Sequence, residues 1–164
     1  MPLVLGVDPG LIVCGWGVVR GGHAPAFVAC GAIRPRRGDP ITKRLLHLHD
    51  AISALIAEHG PTEIAIEEQF VGSLAPASAL AIGQARAAAV LATARAGLEA
   101  SFYSPASIKS AVSGYGQGDK RQVQTMVRML LRLPSEPQPA DAADALAIAL
   151  THLASRRFAA LARK

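Results

Sequence analysis

A chain of 164 residues that is 51% hydrophobic and 18% charged has the length of one domain and too much apolar content for a disordered tail. Its 17 Lys and Arg against 12 acids give a formal net charge of +5, which suits a polyanionic partner such as nucleic acid but is also common in ordinary proteins. The two cysteines, Cys14 and Cys30, are too few for a disulfide scaffold or a Cys-based zinc cluster; lying in apolar runs, they are expected as buried thiols in a reducing cytosol.

The opening MPLVLGVDPG has no basic leader and meets Asp8 too early for a signal peptide. Leu3 to Val7 is short, apolar and β-branched and stops at Asp8-Pro9-Gly10, which predicts a buried strand ending in a turn. Two further strands are expected, from Ile12 to Arg20 and from Ala26 to Ile33, and the short links make the three an antiparallel meander. Asp39-Pro40 reads as an N-cap with a first-turn proline, ahead of Ile41, Leu45, Leu48, Ile52 and Ile56 at helical spacing; Gly60-Pro61 ends that helix.

Ile64 to Ile66 is a fourth buried strand, delivering Glu67 and Glu68. A loop through Phe70 leads to an Ala-rich helix from Pro76 to Ala96; Gln84 and Arg86 argue against the apolar stretch between Ile82 and Val90 as a membrane span. A fifth strand at Ser101 to Tyr103 precedes a small helix from Ser107 to Val112 and a Gly-rich loop at 114–118. Asp119 then caps a helix carrying Val123, Met126, Val127, Leu130 and Leu131. A proline-rich connector leads to a last helix beginning near Asp141. The order β-β-β-α-β-α-β-α-α-α is that of an α/β domain with a mixed sheet and crossover helices, a single domain over 1–164.

Four acids stand in unusual places. Asp8 and Glu67 end strands that read as buried, and Asp141 and Asp144 open an apolar helix at i, i+3, on one face. Carboxylates among Val, Ile and Ala are costly to desolvate without a cation. If they converge, hard divalent ions such as Mg²⁺ suit the oxygen donors, and two ions can serve the attacking and leaving oxygens of a phosphodiester. Each acid also has a plainer reading. Asp8 can be a turn residue, Asp141 an N-cap, Asp144 a first-turn dipole partner, and Glu67 or Glu68 a solvated strand end. Phe70 reads equally as core, and Lys109 and Lys120 as surface solubility. His47, His49, His59 and His152 lack metal-ligand spacing and read as surface or packing residues.

LGVDPG followed by GWGVV, AIEEQF, IGQAR, KSAVSGYGQGDKRQVQTMVRMLL and DAADALAIALTHL occur in that order and together resemble the RuvC family of Holliday-junction resolvases. The resemblance implies an RNase H-like fold: a mixed five-stranded sheet, its first three strands antiparallel, with helices on both faces. It implies a cytoplasmic homodimer that nicks two strands of like polarity in four-way junction DNA, with RuvA and RuvB as branch-migration partners and no membrane association. The matching positions make Asp8, Glu67, Asp141 and Asp144 ligands of two Mg²⁺ per subunit, with Mn²⁺ a plausible substitute. Phe70 matches a family aromatic and selects Glu67 over Glu68.

The same positions put Lys120 and Lys109 near the scissile phosphate. Arg121 opens the same helix as Lys120, and Phe70 and Tyr115 are candidates to stack on unpaired bases. The Ala-rich helix with Arg86 is expected at the dimer contact. The rival readings are a nuclease of the same fold that cuts hybrids or flaps, an actin-like ATPase, for which the chain is too short, and a non-catalytic junction-binding module.

Overall fold

Hydrophobic alternation in the first strand sets the plan of the molecule. In β1 (Leu3–Asp8), Leu5 and Val7 enter one apolar cluster and Val4 enters another on the opposite face of the sheet, as a period of two requires. The computed structural model describes residues 1–69, 75–114 and 119–162. The remaining elements are β2 (Cys14–Arg20), β3 (Ala26–Ile33), α1 (Ile41–His59), β4 (Glu63–Glu67), α2 (Pro76–Arg95), β5 (Ala100–Tyr103), α3 (Pro105–Ser113), α4 (Lys120–Leu130) and α5 (Ala140–Leu161).

The sheet runs β3-β2-β1-β4-β5. The first three strands are antiparallel, β4 is parallel to β1, and β5 is parallel to β4. The expected element order and mixed sheet are both observed. α1 and α2 cover one face. Leu48, Ile52 and Ile56 project from α1 at four-residue steps, and Ala85, Ala88, Ala89 and Ala92 of α2 pack beside them. Leu48 is fully buried, and truncating such a residue to alanine costs about 2–5 kcal/mol. By length and composition α2 would suffice to cross a membrane, yet several of its alanines are buried in this apolar layer.

On the other face α5 lies directly on the sheet, and α3 and α4 cover it through Ile108, Val112, Val123 and Val127. Two glycines permit this approach. A Cβ on Gly6 would lie 2.1 Å from the carbonyl oxygen of Ala145, and one on Gly15 would lie 2.0 Å from that of Asp141. The helix backbone therefore rests on the strand backbone, and α5 is buried throughout 142–153 except at Asp144. At its far end the Arg156 guanidinium bonds the Glu63 carboxylate, and Arg157 Nη2 donates to the carbonyls of Gly22 and, at 2.6 Å, His23.

Several expected boundaries shift. β2 begins at Cys14 rather than Ile12, and Ile12 is exposed in the preceding turn. Pro40 itself occupies the N-cap place of α1, so Asp39 does not cap it. α3 starts earlier, at Pro105, because Ser104 Oγ accepts the N–H of Ser107 at 3.2 Å. The expected cap at Asp119 forms as a reciprocal box: its carboxylate accepts from Gln122 N–H at 2.7 Å, and Gln122 Oε1 accepts from Asp119 N–H. Cys14 is buried as expected, but Cys30 is only half-buried, since β3 is an edge strand.

Candidate active site

Asp8 and Glu67 end adjacent parallel strands. Val7 pairs with Ile66, so the two acids are the next residues along β1 and β4. Strand parity gives both the same face. Asp8 follows Val4 and Gly6 in the alternation and Glu67 follows Ala65, all turned toward α5. Glu68 has the opposite parity; it is exposed, and its Oε1 accepts from Arg86 Nη1 of α2 at 3.4 Å. Geometry thus separates the two neighbouring glutamates, and Arg86 is engaged with the one outside the cluster.

α5 supplies the other pair. Pro139 occupies its N-cap place, so Asp141 lies in the first turn and is not the cap. The backbone of Asp141 rests on Gly15, the residue paired with Asp8, which brings the start of the helix over the strand ends. Lys120, the first residue of α4, places Nζ 2.8 Å from Asp144 Oδ2.

The electrostatics reflect this gathering. Burial, then the charges of Glu67 and Asp144 and more weakly Asp141, push the Asp8 carboxyl up to about 8 against the pull of Lys120. Glu67 is also raised, chiefly by burial; a hydrogen bond from Gln69 opposes this, as do the charges of Lys120 and Lys109. The bond to Asp144 raises Lys120 above its ordinary value. Next to them, burial lifts the Cys14 thiol to about 12, with the charges of Asp8 and Asp141 adding to the effect.

The donor set fits a hard divalent cation. It is all oxygen, and one bonded ammonium leaves several mutually repelling acids in a partly desolvated place, an excess of negative charge that such an ion would relieve. Among the described residues no three His, Cys, Asp or Glu side chains are arranged to hold one ion between them.

Lys109, on α3, acts electrostatically on Glu67. Arg121 is exposed and lines a hollow of ≈ 440 Å³ with Ser113, Asp119, Gln122, Thr125 and Met126, apart from the carboxylates. Phe70 and Tyr115 lie outside the described residues.

Three side-chain contacts escaped the sequence reading, the third of them away from the carboxylates. Gln69 bonds Glu67. Arg44 Nη2 donates to the Leu11 carbonyl at 2.7 Å, tying α1 to the turn after Asp8. His152, expected as a surface or packing residue, is buried in a polar chain: its Nδ1 is 2.9 Å from Tyr103 Oη and its Nε2 is 2.5 Å from Glu63 Oε2. A histidine within an otherwise apolar helix was the available signal; its partners are distant in sequence.

The chain matches the family model described as crossover junction endodeoxyribonuclease RuvC over residues 4–152. It is 44% identical over 162 residues to the crossover junction endodeoxyribonuclease RuvC of Afipia carboxidovorans, covering 98% of this chain and 94% of that one. It is 50% identical over 154 residues to that of Alkalilimnicola ehrlichii, covering 93% and 92%. Its structure is similar to that of Thermus thermophilus RuvC in complex with a Holliday junction substrate, with a TM-score of 0.90, 32% identity and 97% of each chain covered. The yeast mitochondrial Holliday junction resolvase Ydc2, at 13% identity and a TM-score of 0.68 over 94% of this chain and 80% of that one, shares the fold.

Proposed function

The chain belongs to the RuvC family of crossover junction endodeoxyribonucleases, and from that membership we infer that its acidic edge hydrolyses phosphodiester bonds in four-way DNA junctions. It is a Holliday-junction resolvase of recombination and repair with an RNase H-like fold, an enzyme of a metal-dependent nuclease family. The observation that carries the mechanism is the convergence of Asp8, Glu67, Asp141 and Asp144 on one sheet edge with Lys120 among them.

Asp8, Glu67, Asp141 and Asp144 are the residues that would hold Mg²⁺, two ions per subunit, with Mn²⁺ able to replace it. When bound there, such ions activate water and neutralise charge on the leaving 3′ oxygen. Burial and the neighbouring acids raise the Asp8 carboxyl, so negative charge at this position would be stabilised by a bound cation. Gln69 orients Glu67 through its side-chain hydrogen bond. Lys120 offers its ammonium to the phosphoryl oxygens as negative charge builds on them, and Lys109 contributes from the Glu67 side. Phe70 and Tyr115 stack on bases unpaired at the crossover, and Arg121 contacts the backbone beyond.

The resolvase acts as a cytoplasmic homodimer, one nuclease domain per subunit, cutting two strands of like polarity and receiving junctions from RuvA and RuvB. α2 supports the dimer: Leu80, Ala87 and Leu91 form an exposed apolar stripe along it.

The test is a substrate panel of four-way junction, flap and RNA–DNA hybrid, with Mg²⁺, with Mn²⁺ and with chelator. Symmetric nicking confined to the junction, dependent on the ion while binding survives chelation, is expected. Equal cleavage of the hybrid would assign the site to another nuclease of this fold.

A further inference from the structure

The sheet register carries a second basic group to the catalytic edge, on the side away from β5 and α3. Ile33 closes β3 opposite Cys14, and Asp8 closes β1 opposite Gly15. β3 therefore leaves the sheet at the edge that bears Asp8, two strands across, or about 10 Å at the usual spacing between strands. The chain continues as Arg34-Pro35-Arg36-Arg37. Pro35 is buried while all three arginines are exposed, and a turn closed by Asp39 N–H on the Arg36 carbonyl at 3.1 Å completes the segment. A proline anchored in the protein between outward-facing arginines presents them in a set arrangement rather than on a free tail.

Their availability separates them from other arginines of the chain. Arg44, Arg86, Arg156 and Arg157 are each bonded to a carbonyl or carboxylate within the protein. Among the described residues, no ion pair engages Arg34, Arg36 or Arg37. Guanidinium forks match phosphate oxygens in pairs, and three on one short segment match a run of backbone phosphates without regard to base sequence.

We propose that Arg34, Arg36 and Arg37 clamp the phosphate backbone of the junction arm that leaves the cleavage site across β2 and β3. The strand to be cut is then held on both sides of the carboxylates, by Lys109 and Lys120 on one flank and by this trio on the other. The inference rests on the junction-cleaving reading above and adds a second set of phosphate-binding groups to it.

The experiment measures affinity for a synthetic four-way junction in chelator across a salt series. It compares the full-length protein, the variant R34Q/R36Q/R37Q, and the equal-charge control R20Q/R95Q/R132Q, built on exposed arginines away from the carboxylates. The trio variant should melt like wild type, because its side chains are exposed. Its plot of log affinity against log salt should be shallower by up to about 2.7, at about 0.9 for each phosphate that is no longer neutralised. Affinity at 150 mM salt should fall at least about tenfold, while the control stays within about twofold. Unchanged slope and affinity in the trio variant, or an equal loss in the control, overturns the clamp. A wild-type protein that neither prefers nor cuts the junction sinks the underlying reading too. Wild-type cleavage with an unaltered trio variant sinks only the clamp.

Discussion

Lys120 Nζ lies 2.8 Å from Asp144 Oδ2, so the first residue of α4 is bonded to a carboxylate in the opening turns of α5. On the proposed mechanism the ammonium and a divalent cation would compete for this oxygen. Lys120→Met should therefore bind Mn²⁺ more tightly by calorimetry while cutting junctions about 10²–10³-fold more slowly, the usual cost of removing one preorganised charge-stabilising group. Slower cutting together with weaker Mn²⁺ binding would mean that Lys120 only orders Asp144.

Asp8→Asn removes the carboxylate at the end of β1 while keeping its size. Cleavage in saturating Mg²⁺ should fall by at least about 10²–10³-fold, with junction affinity in chelator within about twofold of wild type. A variant that still cuts at a near-wild-type rate would remove Asp8 from the mechanism.

The raised carboxyl of Asp8 makes the metal-free protein sensitive to base. Its folded value is about 8 and the unfolded value is near 3.9, so between these the native state binds the extra proton, and stability falls as pH rises through that window. Glu67 shifts in the same direction. In chelator the melting temperature of wild type should drop between pH 5.5 and pH 8.5. Asp8→Asn should flatten the drop, and Mg²⁺ should reverse it. Calorimetry at the two pH values decides; parallel pH profiles for variant and wild type would show that Asp8 is not the group whose proton links stability to pH.

Gly15→Ala drives a methyl group into the Asp141 carbonyl of α5. Relief requires the helix to lift, at a cost of about 1–3 kcal/mol in urea unfolding, typical of overpacking. Because the start of α5 carries two of the acids, the apparent Mg²⁺ requirement for cleavage should rise several-fold in the same variant. Destabilisation without a changed Mg²⁺ requirement would show that the helix yields elsewhere.

Element order was legible because β-branched runs, short links and the Gly60 and Asp119 caps act locally. The four acids stood out because charge at the end of an apolar run is costly. The choice of Glu67 over Glu68 drew on a neighbouring aromatic, Phe70, whereas its physical basis is strand parity relative to α5. What stayed hidden depends on distant partners. The Lys120 ion pair needs α4 to dock beside α5. The role of His152 needs Tyr103 and Glu63, separated from it by 49 and 89 residues. Arg34, Arg36 and Arg37 look like any solvated charge run until the register shows which edge β3 leaves.

The bonds made by Arg156 and Arg157 mark where this protein can be shortened. Up to Arg157, α5 is fastened to β4 and to the β2–β3 turn; beyond it, the described residues of the helix stand in solvent. A stop codon placed after Arg157 should leave a soluble, fully active product, and an affinity tag fused there should be tolerated. Trimming two residues further back would release the Glu63 carboxylate beside a buried imidazole and yield material prone to precipitate.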